Sequence, residues 1–309
     1  METTYELEYT AFSSRSLFII GQHEAFHMIE RFIDSWTLFQ EIYLLGWALS
    51  LLLPMLGILV LLRRQVFVVM AISNSAMLGI ALSIAMVSAS GHRVHDGGLD
   101  DDWWVTMLSA LLASMLCFRQ PQRKPRYRDT TTAVVFIMAL TLTFLLLAHA
   151  PLGLAEIQQR LSSSLIGASM REFALTMGGG VALGMIWWRF RRSLFLVCLD
   201  PWGAMAQGLP VRRWELAIST LLGLGLGWSI HLTGGLFVFG NLLLPVLSAK
   251  CFSRTMTEVI WMSPLIALFG NMLAFFLAYT WDYPLAQFSV GLQGCIYVAC
   301  LGSFAWIKR

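Results

Sequence analysis

The chain has 309 residues, of which 57% are hydrophobic and 13% charged, with a formal net charge of +3 at pH 7 and a mean hydropathy of +0.69. A soluble domain carries about 25% charged residues and no long apolar runs. The composition therefore excludes a soluble enzyme and indicates a polytopic membrane protein, with no nucleic-acid partner expected.

Residues 1–40 are mixed and acidic and lack a basic segment followed by an apolar core, so they do not read as a secretory signal peptide. They are expected to form an external N-terminal extension. Phe26, Ile29, Ile33 and Trp36 recur at helical spacing, the pattern of an interfacial amphipathic helix. His23-Glu24-Ala25-Phe26-His27 is a literal H-E-x-x-H, which on a helix puts both histidines on one face. A metalloprotease also needs a third ligand and a catalytic cleft. Coincidence, or an auxiliary metal-binding helix using His23 and His27, fits this short extension better.

Residues 41–309 read as an all-α transmembrane bundle. Spans of about 17–25 residues fall near 42–62, 66–88, 103–118, 132–150, 173–188, 214–233, 236–249, 259–279 and 285–307. The third, fifth and seventh look short, and the seventh contains Asn241 and Pro245, which suggests a broken or partial crossing. Nine spans put the two ends on opposite sides. With the N-terminus outside and the C-terminus cytoplasmic, 16 of the 21 Lys+Arg lie on the cytoplasmic side, as the positive-inside rule requires. On this topology none of the five cysteines (Cys117, Cys198, Cys251, Cys295, Cys300) lies in an external loop, which argues against a disulfide framework.

All six histidines then lie in or beside external segments. His92, His95 and Asp96 form H-x-x-H-D in a loop that ends in Asp100, Asp101 and Asp102. Such ligands suit capture of a divalent cation, and an ordinary solvated loop gives the same composition. Gly180 with Gly184, and Gly223 with Gly227, are spaced GxxxG and mark close helix packing.

The stretch 189–213, RFRRSLFLVCLDPWGAMAQGLPVRR, is too polar to read as a span. Asp200 is placed to cap a helix that starts at Pro201, and Gly208 and Pro210 end it after about two turns. A short helix across the cytoplasmic end of the bundle suits docking of a cytoplasmic partner, and taken alone the stretch fits an ordinary connector with a turn of helix better. The chain has no G-x-x-x-x-G-K-[ST] loop, so ATP chemistry must come from a separate subunit.

Several segments together resemble the zinc/manganese/iron permeases of ATP-binding cassette importers. They are 57–79 (GILVLLRRQVFVVMAISNSAMLG), the basic loop 119–128 before Asp129-Thr130, SLIG at 164–167, LDPWGAMAQGL at 199–209, GGLFVFGNLLLPVLSAKCFSRT at 234–255, and LAYTWDYP at 277–284. The resemblance runs from about Leu44 to the end. It implies a multi-pass permease subunit of the bacterial cytoplasmic membrane that pairs with a second permease subunit, identical or different. Two cytoplasmic ATPases drive it, an external solute-binding protein delivers the metal, and the chain itself is not an enzyme. Asp200, Pro201, Ala204 and Gly208 match the family's coupling-helix pattern.

Where the family's second span usually carries an Asp and, one turn later, a His, this chain has Met70 and Asn74. Thioether and amide are weaker ligands than carboxylate and imidazole for Mn²⁺ or Zn²⁺. Met70, Ser73, Asn74 and Asn241 are the candidate pathway residues. The leading expectation is import of zinc, manganese or iron with no tightly bound cofactor. The alternatives are a permease for metal chelates or vitamin-like ligands, and a membrane metalloprotease.

Overall fold

The computed structural model describes residues 39–89, 103–118, 125–148 and 169–307. Among these residues the chain is helical, without strands. The helices are α1 (Phe39–Leu62), α2 (Val66–Ala89), α3 (Trp103–Phe118), α4 (Pro125–Ala148), α5 (Met170–Leu199), α6 (Pro201–Ala206), α7 (Val211–Thr233), α8 (Gly235–Phe252), α9 (Met256–Thr280) and α10 (Leu285–Ile307). The N-terminal extension, the H-E-x-x-H and the His92–Asp96 loop lie outside the described residues.

Seven of these helices, α1, α2, α4 and α7 to α10, are long and apolar enough to cross a membrane. Helix α3 is apolar but has 16 residues, about 24 Å at 1.5 Å per residue, against a hydrocarbon core of about 30 Å. Helix α5 departs from the expected pattern. A span ending near Trp188 and a polar connector were anticipated; one helix of 30 residues continues through Arg189, Arg191 and Arg192 to Leu199. No proline interrupts it, and arginine is a good helix former. Its start is fixed by a capping box in which Glu172 N–H donates to Ser169 Oγ and Ser169 N–H donates to the Glu172 carboxylate. Helix α8, expected to be broken, runs unbroken through Pro245 for 18 residues.

Helix α1 is the hub. Tyr43, Leu45, Leu49, Leu53, Leu56 and Leu59 are all fully or almost fully enclosed. On one side α2 packs on α3 and α4, and α3 packs on α7; on the other, α8, α9 and α10 pack on one another. Two glycine contacts show why the helices approach so closely. A Cβ on Gly57 of α1 would sit 1.9 Å from the backbone oxygen of Leu242 in α8. A Cβ on Gly223 or Gly227 of α7 would lie 2.8 Å from Leu111 Cα or 2.9 Å from Ala110 Cβ in α3, so this GxxxG serves packing within the chain. Gly180 and Gly184 meet only Leu52 and Met55 side chains at 3.8 and 4.0 Å.

Several hydroxyls inside the bundle are satisfied locally, as an apolar medium favours. Ser75 donates to Ala71 O at 2.9 Å, Thr143 to Ala139 O at 2.8 Å and Thr233 to Ser229 O at 2.9 Å, the usual bond from a helical hydroxyl to the carbonyl four residues back. Ser114 donates across to Ser219 O at 2.7 Å and ties α3 to α7.

Candidate coupling and translocation site

Helix α6 is assembled from its ends. Asp200 Oδ1 accepts from Gly203 N–H at 3.0 Å, with Pro201 in the first turn, so the proline's missing N–H costs nothing. Gly203 is required by this cap, because a Cβ there would stand 2.3 Å from Asp200 Oδ2. At the other end Gly208 has φ +78. Gly208 N–H donates to Met205 O at 2.9 Å and Leu209 N–H to Ala204 O at 3.1 Å, the paired bonds of a Schellman stop. Ala204 is fully buried, whereas Trp202 and Met205 are 57% and 58% exposed. The four residues read from the sequence therefore build and seat the helix. The surface it presents belongs to Trp202 and Met205, which the sequence reading passed over. On a helix anchored by a buried Ala204, they are the large apolar residues two before and one after the anchor.

Behind α6, Arg63 closes the end of α1. Its guanidinium lies 5.0 Å over the Phe118 ring and beside the Cys198 thiol. Burial pushes the nearby Cys198 thiol above its ordinary pKa, and the Arg63 charge pulls the other way.

On α2, Met70 is 37% exposed and Asn74, one turn on, is partly exposed. Residues four apart share a helix face, and here the Asn74 amide also donates to Met70 O at 2.9 Å. Its Oδ1 takes no hydrogen bond among the described residues. Ser73 is buried, and its hydroxyl has no partner among the described residues. Phe67, one turn before Met70 and 46% exposed, touches Phe136 of α4 at 5.5 Å between ring centroids. The exposed face thus offers one amide oxygen and one thioether, with the Ser73 hydroxyl enclosed behind them, and no formal charge.

Asn241 lies elsewhere. It is fully buried in a closed ring of side chains: Asn271 Nδ2 donates to Asn241 Oδ1, Asn241 Nδ2 to Ser289 Oγ at 3.4 Å, and the Ser289 hydroxyl to Asn271 Oδ1. Asn271 also donates to Ser50, and Asn241 to Phe237 O at 3.1 Å. Helices α1, α8, α9 and α10 meet at this ring. Ser50, Asn271 and Ser289 were not singled out in the sequence, where a lone polar residue in an apolar run carries no sign of its partners. No cluster of three or more His, Cys, Asp or Glu that could hold a metal occurs among the described residues.

A helical bundle with an exposed, capped two-turn helix between long apolar helices defines a multi-pass membrane permease. The chain belongs to the ABC 3 transport family, whose pattern it matches over residues 35–303. It is 22% identical to the manganese import system permease protein ScaB of Streptococcus parasanguinis, over 82% of this chain and 87% of that one. Its fold is similar to the solved structure of PsaBC from Streptococcus pneumoniae in complex with Fab, with a TM-score of 0.72 and 20% identity over 88% of this chain and 95% of that chain. A second ABC transporter, in an inward-facing conformation, gives a TM-score of 0.70 at 16% identity, covering 88% of this chain and 89% of that one.

Proposed function

We propose that the chain is the transmembrane permease subunit of an ATP-driven importer of divalent metal ions (zinc, manganese or iron) in the cytoplasmic membrane. The observation that carries the reading is the family match over residues 35–303, and the likeness to a manganese import permease supports the cargo class. The seven long apolar helices together with α3 and the first part of α5 make nine crossings, with residues 1–40 outside and the C-terminus in the cytoplasm. The Lys/Arg distribution supports that orientation.

In this reading α6 docks on a separate cytoplasmic ATPase, which supplies all ATP hydrolysis. Trp202 and Met205 are its contact anchors, the kind of residue that dominates interface energetics when enclosed by a partner. The cargo passes along the α2 face of Met70, Ser73 and Asn74, between this chain and a second permease subunit. Asn241 serves the pathway indirectly, by fixing α8 against α9 and α10. An external solute-binding protein hands over the ion, and His92, His95 and Asp96, with His23 and His27, collect cations near the entrance. ATP binding draws the two coupling helices together and repacks the spans as rigid bodies.

Uptake of radiolabelled Mn²⁺, Zn²⁺ and Fe²⁺ into vesicles that hold the chain with its ATPase and binding protein tests the function. ATP-dependent uptake of at least one of the three is expected. Asn74→Leu should lower uptake about tenfold at unchanged expression. Normal uptake by Asn74→Leu would remove α2 from the pathway. No uptake of any of the three ions by the wild-type assembly would reject the cargo class.

A further inference from the structure

A second feature of the fold owes nothing to the cargo. Between α1, α5, α9 and the end of α6 lies a groove of about 1020 Å³, at the top of the roughly 300–1,000 Å³ range of small-molecule pockets. Its walls are mainly aliphatic and aromatic, with Trp188 and Trp261 at 77% and 71% exposed. Arg191 and Arg192 interrupt that lining, and no carboxylate lines the groove among the described residues. Gln207 and Thr257 are its other polar side chains apart from the indoles. Trp187, also a lining residue, is 3% exposed, and its indole N–H is enclosed with no acceptor among the described residues. It lies one helical turn before Arg191.

We propose that this groove is a binding site for an anionic glycerophospholipid. Two guanidiniums with no carboxylate beside them in the groove among the described residues repel a metal cargo and call for an anion, and the planar guanidinium matches the geometry of a phosphodiester. The long apolar walls call for acyl chains, which a free phosphate lacks. Tryptophan beside arginine is the composition of the headgroup level of a bilayer, and basic pockets between spans on the cytoplasmic side take anionic headgroups. The phosphodiester sits at Arg191 and Arg192, with the exposed Trp188 and Trp261 rings beside the glycerol backbone. The acyl chains run between α5 and α9 past Gly184 and Leu265. The lipid so placed bridges α5, which is otherwise lightly held, to α1 and α9.

The experiment is native mass spectrometry of the purified full-length chain, offered equimolar phosphatidylglycerol and phosphatidylcholine. Wild type should retain phosphatidylglycerol preferentially, and millimolar inorganic phosphate should not displace it. Arg191→Gln with Arg192→Gln should weaken retention about 30-fold, the equivalent of about 2 kcal/mol. Arg191→Lys with Arg192→Lys should keep most of it, which guards against a folding artefact. Arg212→Gln with Arg213→Gln, outside the groove, should change nothing. Equal retention of both lipids, or retention unaffected by the Arg191/Arg192 glutamine pair, would overturn the assignment. Displacement by phosphate would reassign the site to a free anion. Loss of self-association in the glutamine pair without loss of lipid would give the groove to a second copy of the chain.

Discussion

Replacing Asn271 with leucine removes the hub of the buried ring; the branching is the same and leaves no cavity, while the bulkier methyls add some overpacking to the lost bonds. Three side-chain bonds go: to Ser50, to Asn241 and from Ser289. Ser50 still donates to Gly46 O at 2.6 Å, and Asn241 keeps its bond to Phe237 O. Asn241 Oδ1 and the Ser289 hydroxyl lose their Asn271 partner in a region with no solvent exposure. At the average of about 0.6 kcal/mol for a side-chain bond between membrane helices, the three sum to about 2 kcal/mol. Counting two orphaned buried groups at about 1–3 kcal/mol each raises the figure to about 4 kcal/mol. The expected destabilisation is therefore about 2–4 kcal/mol, read as a lower midpoint in reversible unfolding from mixed micelles by dodecyl sulfate. Asn241→Leu alone should cost a similar amount. The double variant should cost less than the two together by at least about 1 kcal/mol, because both would then remove the same bond. A loss below about 0.5 kcal/mol for Asn271→Leu, or strict additivity with Asn241→Leu, would refute the ring as a stabilising unit.

In a variant lacking native cysteines, Gly97→Cys should react with a membrane-impermeant thiol reagent in intact cells and Gln122→Cys should not; the reverse pattern would invert the proposed topology. Trp202→Ala should lower ATPase association at least tenfold in co-purification, and Asp200→Ala should weaken the α6 cap by about 1 kcal/mol with a smaller loss of association; full association by Trp202→Ala would move the docking surface elsewhere. Gly57→Ala should fail to fold, since its Cβ would meet backbone oxygen of α8 at 1.9 Å, whereas Gly178→Ala, with nothing within 4 Å, should be neutral or slightly stabilising; equal expression of both would contradict the helix crossing. The native Cys198 thiol, buried and shifted upward, should alkylate more slowly at neutral pH than exposed Cys295 in detergent, as comparative maleimide labelling would record.

What was legible in the sequence was local chemistry. Asp200, Pro201 and Gly208 announce a cap, a first turn and a left-handed stop, and each depends only on residues within about two turns. The long apolar runs were equally plain, because length and hydropathy are sufficient to mark them. The reading faltered where a local cue was weighed without its surroundings. Three arginines after Trp188 suggested that the helix had ended, yet polarity ends a span and not a helix. Pro245 suggested a break in α8, yet the helix continues through it, packed against α10 and α9. The Asn271 ring was illegible for a related reason. Its hydrogen-bonded members are separated by as many as 221 positions, and only the meeting of α1, α8, α9 and α10 turns four isolated polar residues into one unit.

The neutral α2 face has a consequence that follows from its chemistry. An amide oxygen, a hydroxyl and a thioether can strip part of the hydration from a divalent ion, but they contribute no charge to offset the loss of water. A carboxylate at Met70 would bind the ion and also hold it, and an importer must release its cargo on every cycle. If the α2 face lines the pathway as proposed, tight capture falls to ligands outside it, those of a solute-binding protein or of a second subunit. The two arrangements separate experimentally. If the partner is an identical chain, both walls are uncharged, the ion is never held firmly, and Met70→Asp with Asn74→His should slow release while tightening binding. If the partner is a different permease that keeps an acidic and an imidazole ligand, one charged wall already suffices. The same double substitution in this chain should then depress transport by over-binding. Reconstitution of the chain alone with its ATPase, against co-expression with a second permease, distinguishes them through whether uptake requires the second chain.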